Sequence, residues 1–279
     1  MDAHFRAFSF VDRITSVQDG KRIRGRYAIP AELHDFPLAL VGEAVGQLAA
    51  WAAMAAVDFG QRPLAGLAGS IELLREPRAG QVLELAADLE SVDAESVGYS
   101  GTAHVDGALM LRLENCVGPM MPMADFDDPQ KLRSRFEKLC RAGADPGSFP
   151  SLPRLTFERT GGDAGRSVSA SFQVPSAAPL FADHFPRRPV FPGSLLMQVN
   201  LQLGAALASE IPPPARGRWV PGTIQDMKLR SFMLPGTTLQ LEARLKQHSH
   251  DSASLALETR TTQGVIATAG LLLKAGDGV

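Results

Sequence analysis

Two spacings of apolar residues divide the chain. Between Phe8 and Ile29 apolar and polar positions alternate around a turn at Gln18-Asp19-Gly20-Lys21, the period of half-buried strands. From Pro37 the period lengthens. Leu38, Leu40, Val41, Val45, Leu48, Trp51 and Met54 predict an apolar helix that runs to about Asp58 and stops near Gly60. Alternation returns over Leu67–Leu74, Gln81–Leu89, Ser96–Val105 and Leu109–Val117. The same order then repeats. A second apolar helix, over 194–210, stops before Pro212-Pro213-Pro214 and precedes strand patterns at Gly222–Leu229, Thr238–Leu245, Ser254–Thr261 and Val265–Leu273.

The repeat has a register. Glu43 and Gln47 in the first helix stand 155 positions before Gln198 and Gln202 in the second, and Gly80 stands 156 before Gly236. A near-constant offset through helix and strands predicts tandem copies of one α+β unit, paired within the chain as an internal pseudo-dimer. The first copy is placed at 1–120 and the second at 151–279. Between them, 121–150 reads as a linker with a short helix, Pro129–Leu139, solvated and without a function of its own.

The stretch with most chemistry in it opens the second helix: Phe181-Ala182-Asp183-His184-Phe185-Pro186-Arg187-Arg188-Pro189-Val190-Phe191-Pro192-Gly193. Its prolines stiffen the loop that carries the histidine. Gly193 falls at the helix start, where unpaired N–H groups and the positive end of the dipole can hold a carbonyl oxygen. This stretch, together with Val11-Asp12-Arg13-Ile14 ahead of Gly20-Lys21, resembles the 3-hydroxyacyl-thioester dehydratases of bacterial fatty-acid and polyketide synthesis, which have the hot-dog fold. His184, Phe185, Pro186, Pro189, Pro192, Gly193 and Gln202 fit that family's pattern. The acid does not: position 198, 14 after the histidine, is Gln.

The resemblance implies a double hot-dog fold, each copy wrapping a curved antiparallel sheet around its central helix. It also implies sites shared between copies, with the histidine from one and the acid from the helix of the other. Glu43 then occupies the acid's position opposite His184. The reciprocal site lacks both groups, since Gln198 and Ile29 stand in their places, and His34 aligns with Pro189 rather than with His184. One composite site per chain is expected.

By the same resemblance, neutral His184 is the base and its other ring nitrogen donates to the Val190 carbonyl. Glu43, protonated or acting through a bound water, helps hydroxide leave. The Gly193 N–H polarises the thioester carbonyl, with Val190 and Phe191 beside it in the substrate wall. Gln47, one turn after Glu43, either orients it or, like Gln202, serves as a hydrogen-bond partner between helices. Asp183 stands where single-copy enzymes commonly have glycine; its carboxylate either raises the pKa of His184 or faces water. Arg187, Arg188, Arg216, Arg218, Lys228 and Arg230 are expected around the pocket mouth. Of these, Arg187, Arg188 and Arg230 are the candidates for docking a phosphopantetheine phosphate or an acidic carrier protein.

The implied partners are an acyl-thioester substrate and the acyl-carrier protein, or CoA, that carries it; no resident cofactor is implied. Two other readings stay open. A hot-dog thioesterase would use a helix glutamate without needing the His184 loop, and a non-catalytic acyl-binding protein would explain Gln198 and Ile29. A CoA-level hydratase shares the chemistry but carries a different histidine motif. Lipid, polyene or polyketide synthesis is the pathway class that the duplicated form suggests by analogy.

Composition narrows the picture a little further. A length of 279 residues with 45% hydrophobic content supports a full core, and a net charge of −2 gives no reason to expect nucleic acid. Cys116 and Cys140 have neither metal-ligand nor redox spacing, as expected of reduced thiols in a cytoplasmic protein. His248 and His250 lack a third ligand nearby and read as a solvated loop, so no metal site is expected. The first residues lack a signal-peptide pattern, and no apolar run reaches the ~18 residues of a membrane span. Pairing of whole chains into a homodimer is left open.

Overall fold

The computed structural model describes residues 4–18, 21–33, 36–144, 149 and 152–276; the Asp19-Gly20 turn, His34 and Pro150 lie outside the described residues. Helix α1 (Leu38–Ala56) buries Leu40, Val41, Ala44, Val45 and Leu48 on one side, and α3 (Gly193–Ala208) buries Leu195, Leu196, Val199, Leu203 and Leu207. Each stripe needs a sheet to cover it. Gly101 allows the closest approach: a Cβ there would stand 2.5 Å from Val45 Cγ1 and 2.6 Å from the Ala86 carbonyl oxygen.

The strands supply that cover in two mirrored sets. In the first half they are β1 (Arg13–Gln18), β2 (Arg22–Ala28), β3 (Gln61–Pro63), β4 (Leu67–Leu73), β5 (Val82–Val92), β6 (Ser96–Val105) and β7 (Ala108–Pro122). In the second they are β8 (Glu158–Gly161), β9 (Ser167–Gln173), β10 (Arg218–Leu229), β11 (Thr238–His248), β12 (Ser252–Thr261) and β13 (Gly264–Gly276). The sheet order is β1-β2-β5-β6-β7-β4-β10-β13-β12-β11-β9-β8, with β3 on β7. Read outward from the middle, the two halves have the same topology. They join where β4 pairs antiparallel with β10, from Leu67 opposite Lys228 to Glu72 opposite Thr223. This is the double hot-dog expected from the repeat.

Three details differ from expectation. Phe8 to Val11 form no strand; they run as an extended segment held by side chains, described below. The hairpin β8–β9, the counterpart of β1–β2, went unassigned in the sequence. Finally, α2 (Pro129–Arg141) is solvated on one face only. Asp128 caps it by accepting from the Gln130 and Lys131 N–H groups, but Leu132 and Leu139 are buried. Phe136 packs 6.2 Å from the Trp51 ring and 5.7 Å from Phe59. The helix is therefore bound to the outside of α1.

α1 is long and apolar enough to cross a membrane by length and composition, but here it is a core helix. The repeat reaches down to single residues. Gly80 (φ 77°) donates to the carbonyl of Ile29 at the end of the first hairpin, and Gly236 (φ 78°) donates to that of Val174 after the second. Both turns need a left-handed residue, which costs an L side chain about 1–2 kcal/mol. Gly80→Ala and Gly236→Ala are each expected to lower stability by about 1 kcal/mol, and to add in the double variant, when followed by urea denaturation.

Candidate active site

The loop before α3 is shaped by its own backbone. The His184 N–H donates to the Leu180 carbonyl at 2.9 Å, and the Val190 N–H returns to the His184 carbonyl at 3.0 Å. The side chain closes a second bond, from His184 Nδ1 to the Val190 carbonyl oxygen at 3.0 Å. A carbonyl only accepts, so in the neutral ring Nδ1 carries the proton and Nε2 keeps its lone pair. Burial holds the His184 pKa below 6.5, against the pull of the Glu43 charge and the Val190 carbonyl; the Arg62 cation adds to the lowering. The base form is thus the stable form near neutral pH.

Glu43 comes from the other copy. On α1 its Oε1 accepts from Gln47 Nε2 at 3.0 Å, and its Oε2 accepts from Ser194 Oγ, in the first turn of α3, at 2.7 Å. That second bond ties the two copies together beside Gly193. Gly193 is in the first turn, whose N–H groups the helix leaves unpaired; a Cβ there would stand 2.3 Å from Leu229 Cδ1. His184, Glu43, Gln47, Val190, Phe191 and Gly193 all line one cavity of about 450 Å³. Neither Gln198 nor Ile29 lines it, and Gln198 Oε1 is buried with no hydrogen-bond partner among the described residues.

Gln47 does more than touch Glu43. Its Oε1 accepts from the Phe10 N–H at 2.8 Å and its Nε2 also reaches the Phe8 carbonyl at 3.0 Å. Its partners are therefore Glu43 and the N-terminal segment rather than the other helix, and Gln202 is exposed. Asp183 neither raises the pKa of His184 nor faces water. Its buried carboxylate accepts from the Phe8 N–H at 2.7 Å, from Ser9 Oγ at 3.0 Å and from the Phe5 N–H. Residues 4–10 so form a strap across the histidine loop, with the Phe8 ring edge-on to His184 at 5.6 Å.

A second group of charges beside the site was not legible in the sequence. Arg62, on β3, stacks 4.2 Å over the Phe185 ring and lies 3.5 Å from Asp127. Burial pulls its pKa down to about 10, with Asp127, Asp183 and Glu43 opposing, so it stays cationic. Asp127 also accepts from His4 Nε2 at 3.0 Å. Burial pushes the Asp127 carboxyl up, but the bonds from His4 and the Asp128 N–H, with the charges of His4 and Arg62, hold it below the usual carboxylate range.

The basic residues do not form one cluster. Arg188 packs over Phe232 at 4.5 Å, and Arg230 and Phe232 both line the cavity. Arg187 is partly committed inward, donating to the Ala124 carbonyl at 2.9 Å. Arg216 and Arg218 lie at the opposite end of β10 from Lys228 and Arg230, roughly 35 Å away along an extended strand. A strand separates what the sequence grouped.

Residues 161–270 match the family described as ApeI-like, ApeI dehydratase. The 3-hydroxyacyl-[acyl-carrier-protein] dehydratase FabZ of Rickettsia conorii is 32% identical over 107 residues, which is 38% of this chain and 73% of that protein. This chain belongs to the hot-dog dehydratase family. Among solved structures, a proposed oleoyl thioesterase from Lactobacillus plantarum superimposes with a TM-score of 0.60 at 11% identity, over 92% of this chain and 97% of that one. The 12:0-ACP thioesterase from Umbellularia californica gives 0.54 at 9% identity, over 91% and 94%. At such identities the likeness shows the fold alone: this chain shares the duplicated architecture of those chains.

The strap gives a direct test. Asp183→Ala leaves the buried Phe8 N–H without its acceptor and is expected to cost about 1–3 kcal/mol in denaturant unfolding. It should also speed hydrogen exchange at Phe8 relative to the β4–β10 seam; unchanged exchange there would contradict the clamp.

Proposed function

We propose that this protein removes water from 3-hydroxyacyl thioesters, carried on acyl-carrier protein or CoA, to give trans-2-enoyl thioesters at one composite site. The observation that carries the reading is the meeting of His184, from the second copy's loop, and Glu43, from the first copy's helix, in one cavity beside Gly193. His184 Nε2 takes the C2 proton while the Gly193 N–H stabilises the enolate-like oxygen of the thioester. The C2–C3 double bond forms as the C3–O bond breaks. Glu43, protonated or through a water, delivers the proton with which the hydroxyl leaves as water. The proton on His184 then returns through solvent to restore the pair. Arg188 and Arg230 at the rim, with Arg187, are the positions proposed to meet the phosphate or the carrier.

A thioesterase reading is favoured by one observation: both Glu43 oxygens accept hydrogen bonds, as suits a carboxylate that activates water. It leaves the bonded His184 loop without a task, and for that reason dehydration ranks first.

Steady-state kinetics of single variants test the assignment. His184→Ala and Glu43→Gln are each expected to lower kcat/KM by about 100-fold or more, while Gln198→Ala stays within about threefold of wild type. A Glu43→Gln enzyme of wild-type activity would remove the acid from the scheme.

The pH profile tests His184 separately. The base must be neutral, so activity is lost as pH falls through its pKa, and the acid limb of kcat/KM is expected below 6.5. Arg62→Met removes a cation that disfavours the imidazolium and leaves the Glu43 charge, which favours it, unopposed by that cation, so its acid limb should move to higher pH.

A further inference from the structure

Ser194 is the second residue of α3, a helix whose N-cap is Pro192 and whose start no side chain caps. Serine favours a helix less than alanine does, and at a helix start it normally uses its hydroxyl to satisfy a free backbone N–H. Here the hydroxyl leaves its own helix and donates to Glu43 Oε2 at 2.7 Å, across the junction of the two copies. A hydroxyl has one proton, so that donor is committed to Glu43. Ser194 lines the cavity together with Glu43 and Gly193.

Three positions differ together between the copies. In the register of 155, Ser194 corresponds to Ala39 on α1, as His184 corresponds to Ile29 and Gln198 to Glu43. The hydroxyl contact is therefore made on the side that has the histidine and the acid. On the other side Ala39 has no hydroxyl to offer, and Gln198 Oε1 is buried with no hydrogen-bond partner among the described residues. A bond that served only to join the copies would have the same use on both sides.

The two bonds on Glu43 are not equivalent. The Phe10 N–H fixes which end of the Gln47 amide is the oxygen, so Glu43 Oε1 meets Nε2, which only donates. An acid proton on Glu43 then falls on Oε2, the oxygen that Ser194 reaches. A hydroxyl donates to a carboxylate and accepts from a carboxylic acid, so Ser194 can hold Oε2 in both protonation states. Glu43 passes through both whenever it gives up a proton and regains it.

Resting on the dehydratase reading, we infer that Ser194 is a positioning residue for the reaction. It holds the Glu43 carboxyl from the opposite copy, while Gln47 holds it from its own helix, and it does so one residue from the Gly193 N–H. Glutamate has three side-chain torsions to fix, and a misplacement of about 1 Å at a reacting group can cost about a hundredfold in rate. Ser194 thus acts on the rate through Glu43.

A cycle of variants, assayed by the intact mass of acyl-carrier protein loaded with a 3-hydroxyacyl group, separates this role from a structural one. Ser194→Ala is expected to lower kcat by about tenfold with KM within about threefold of wild type, and Ser194→Thr, which keeps the hydroxyl, to restore most of the loss. In a Glu43→Gln background the same Ser194→Ala change should cost less than about twofold, because the carboxyl it positions is gone. Alanine suits a helix, so the Ser194→Ala protein should keep a cooperative thermal transition. Wild-type kcat in Ser194→Ala, a tenfold loss in both backgrounds, or a Thr variant no better than the Ala variant would each overturn the inference. Release of free acid by wild type, with the cycle as expected, would remove the dehydratase reading and leave the positioning role standing. A wild type inert toward every hydroxyacyl chain would overturn both.

Discussion

The antiparallel pairing of β4 with β10 is the constraint on which the rest depends. It turns two hot-dog units into one continuous sheet, removes an open edge from each, and fixes how their helices meet. Only in that register can Ser194, at the start of α3, donate to Glu43 on α1 at 2.7 Å, and only then do Glu43 and His184 share a cavity. Because both halves belong to one chain, the shared site does not depend on protein concentration, as a site between separate subunits would.

Covalent linkage also lets the copies diverge, and they have. The first keeps the acid on its helix; the second keeps the histidine loop and has Gln198 where the acid would stand. The first copy's leading residues cross over to the second copy's loop, where Asp183 gathers their N–H groups. Arg62, Asp127 and Asp183 cost desolvation where they lie. Their arrangement offsets much of that cost, since each charge has an opposite charge, a ring face or backbone donors against it.

Much of this was legible in the sequence because it depends on period and register. Apolar spacing located α1, α3 and most strands, and the constant offset between Glu43 and Gln198 led to the composite site. The hairpin β8–β9 was missed although Val168, Ala170 and Phe172 alternate as buried positions, because the surrounding segment is rich in Gly, Ser and Pro. Arg62, Asp127 and His4 had no signal: they lie far apart in sequence, in no motif, and meet only through the fold. The solvated reading of α2 failed because its apolar positions Leu132, Phe136 and Leu139 were outweighed by the charges between them.

On the proposed chemistry the composite site dehydrates rather than hydrolyses. The most direct measurement is the intact mass of acyl-carrier protein loaded with a 3-hydroxyacyl group, before and after exposure to the enzyme. The expected product is a species lighter by one water with the acyl group still attached, absent when His184→Ala replaces wild type. Release of the acyl group as free acid, leaving bare carrier protein, would contradict it.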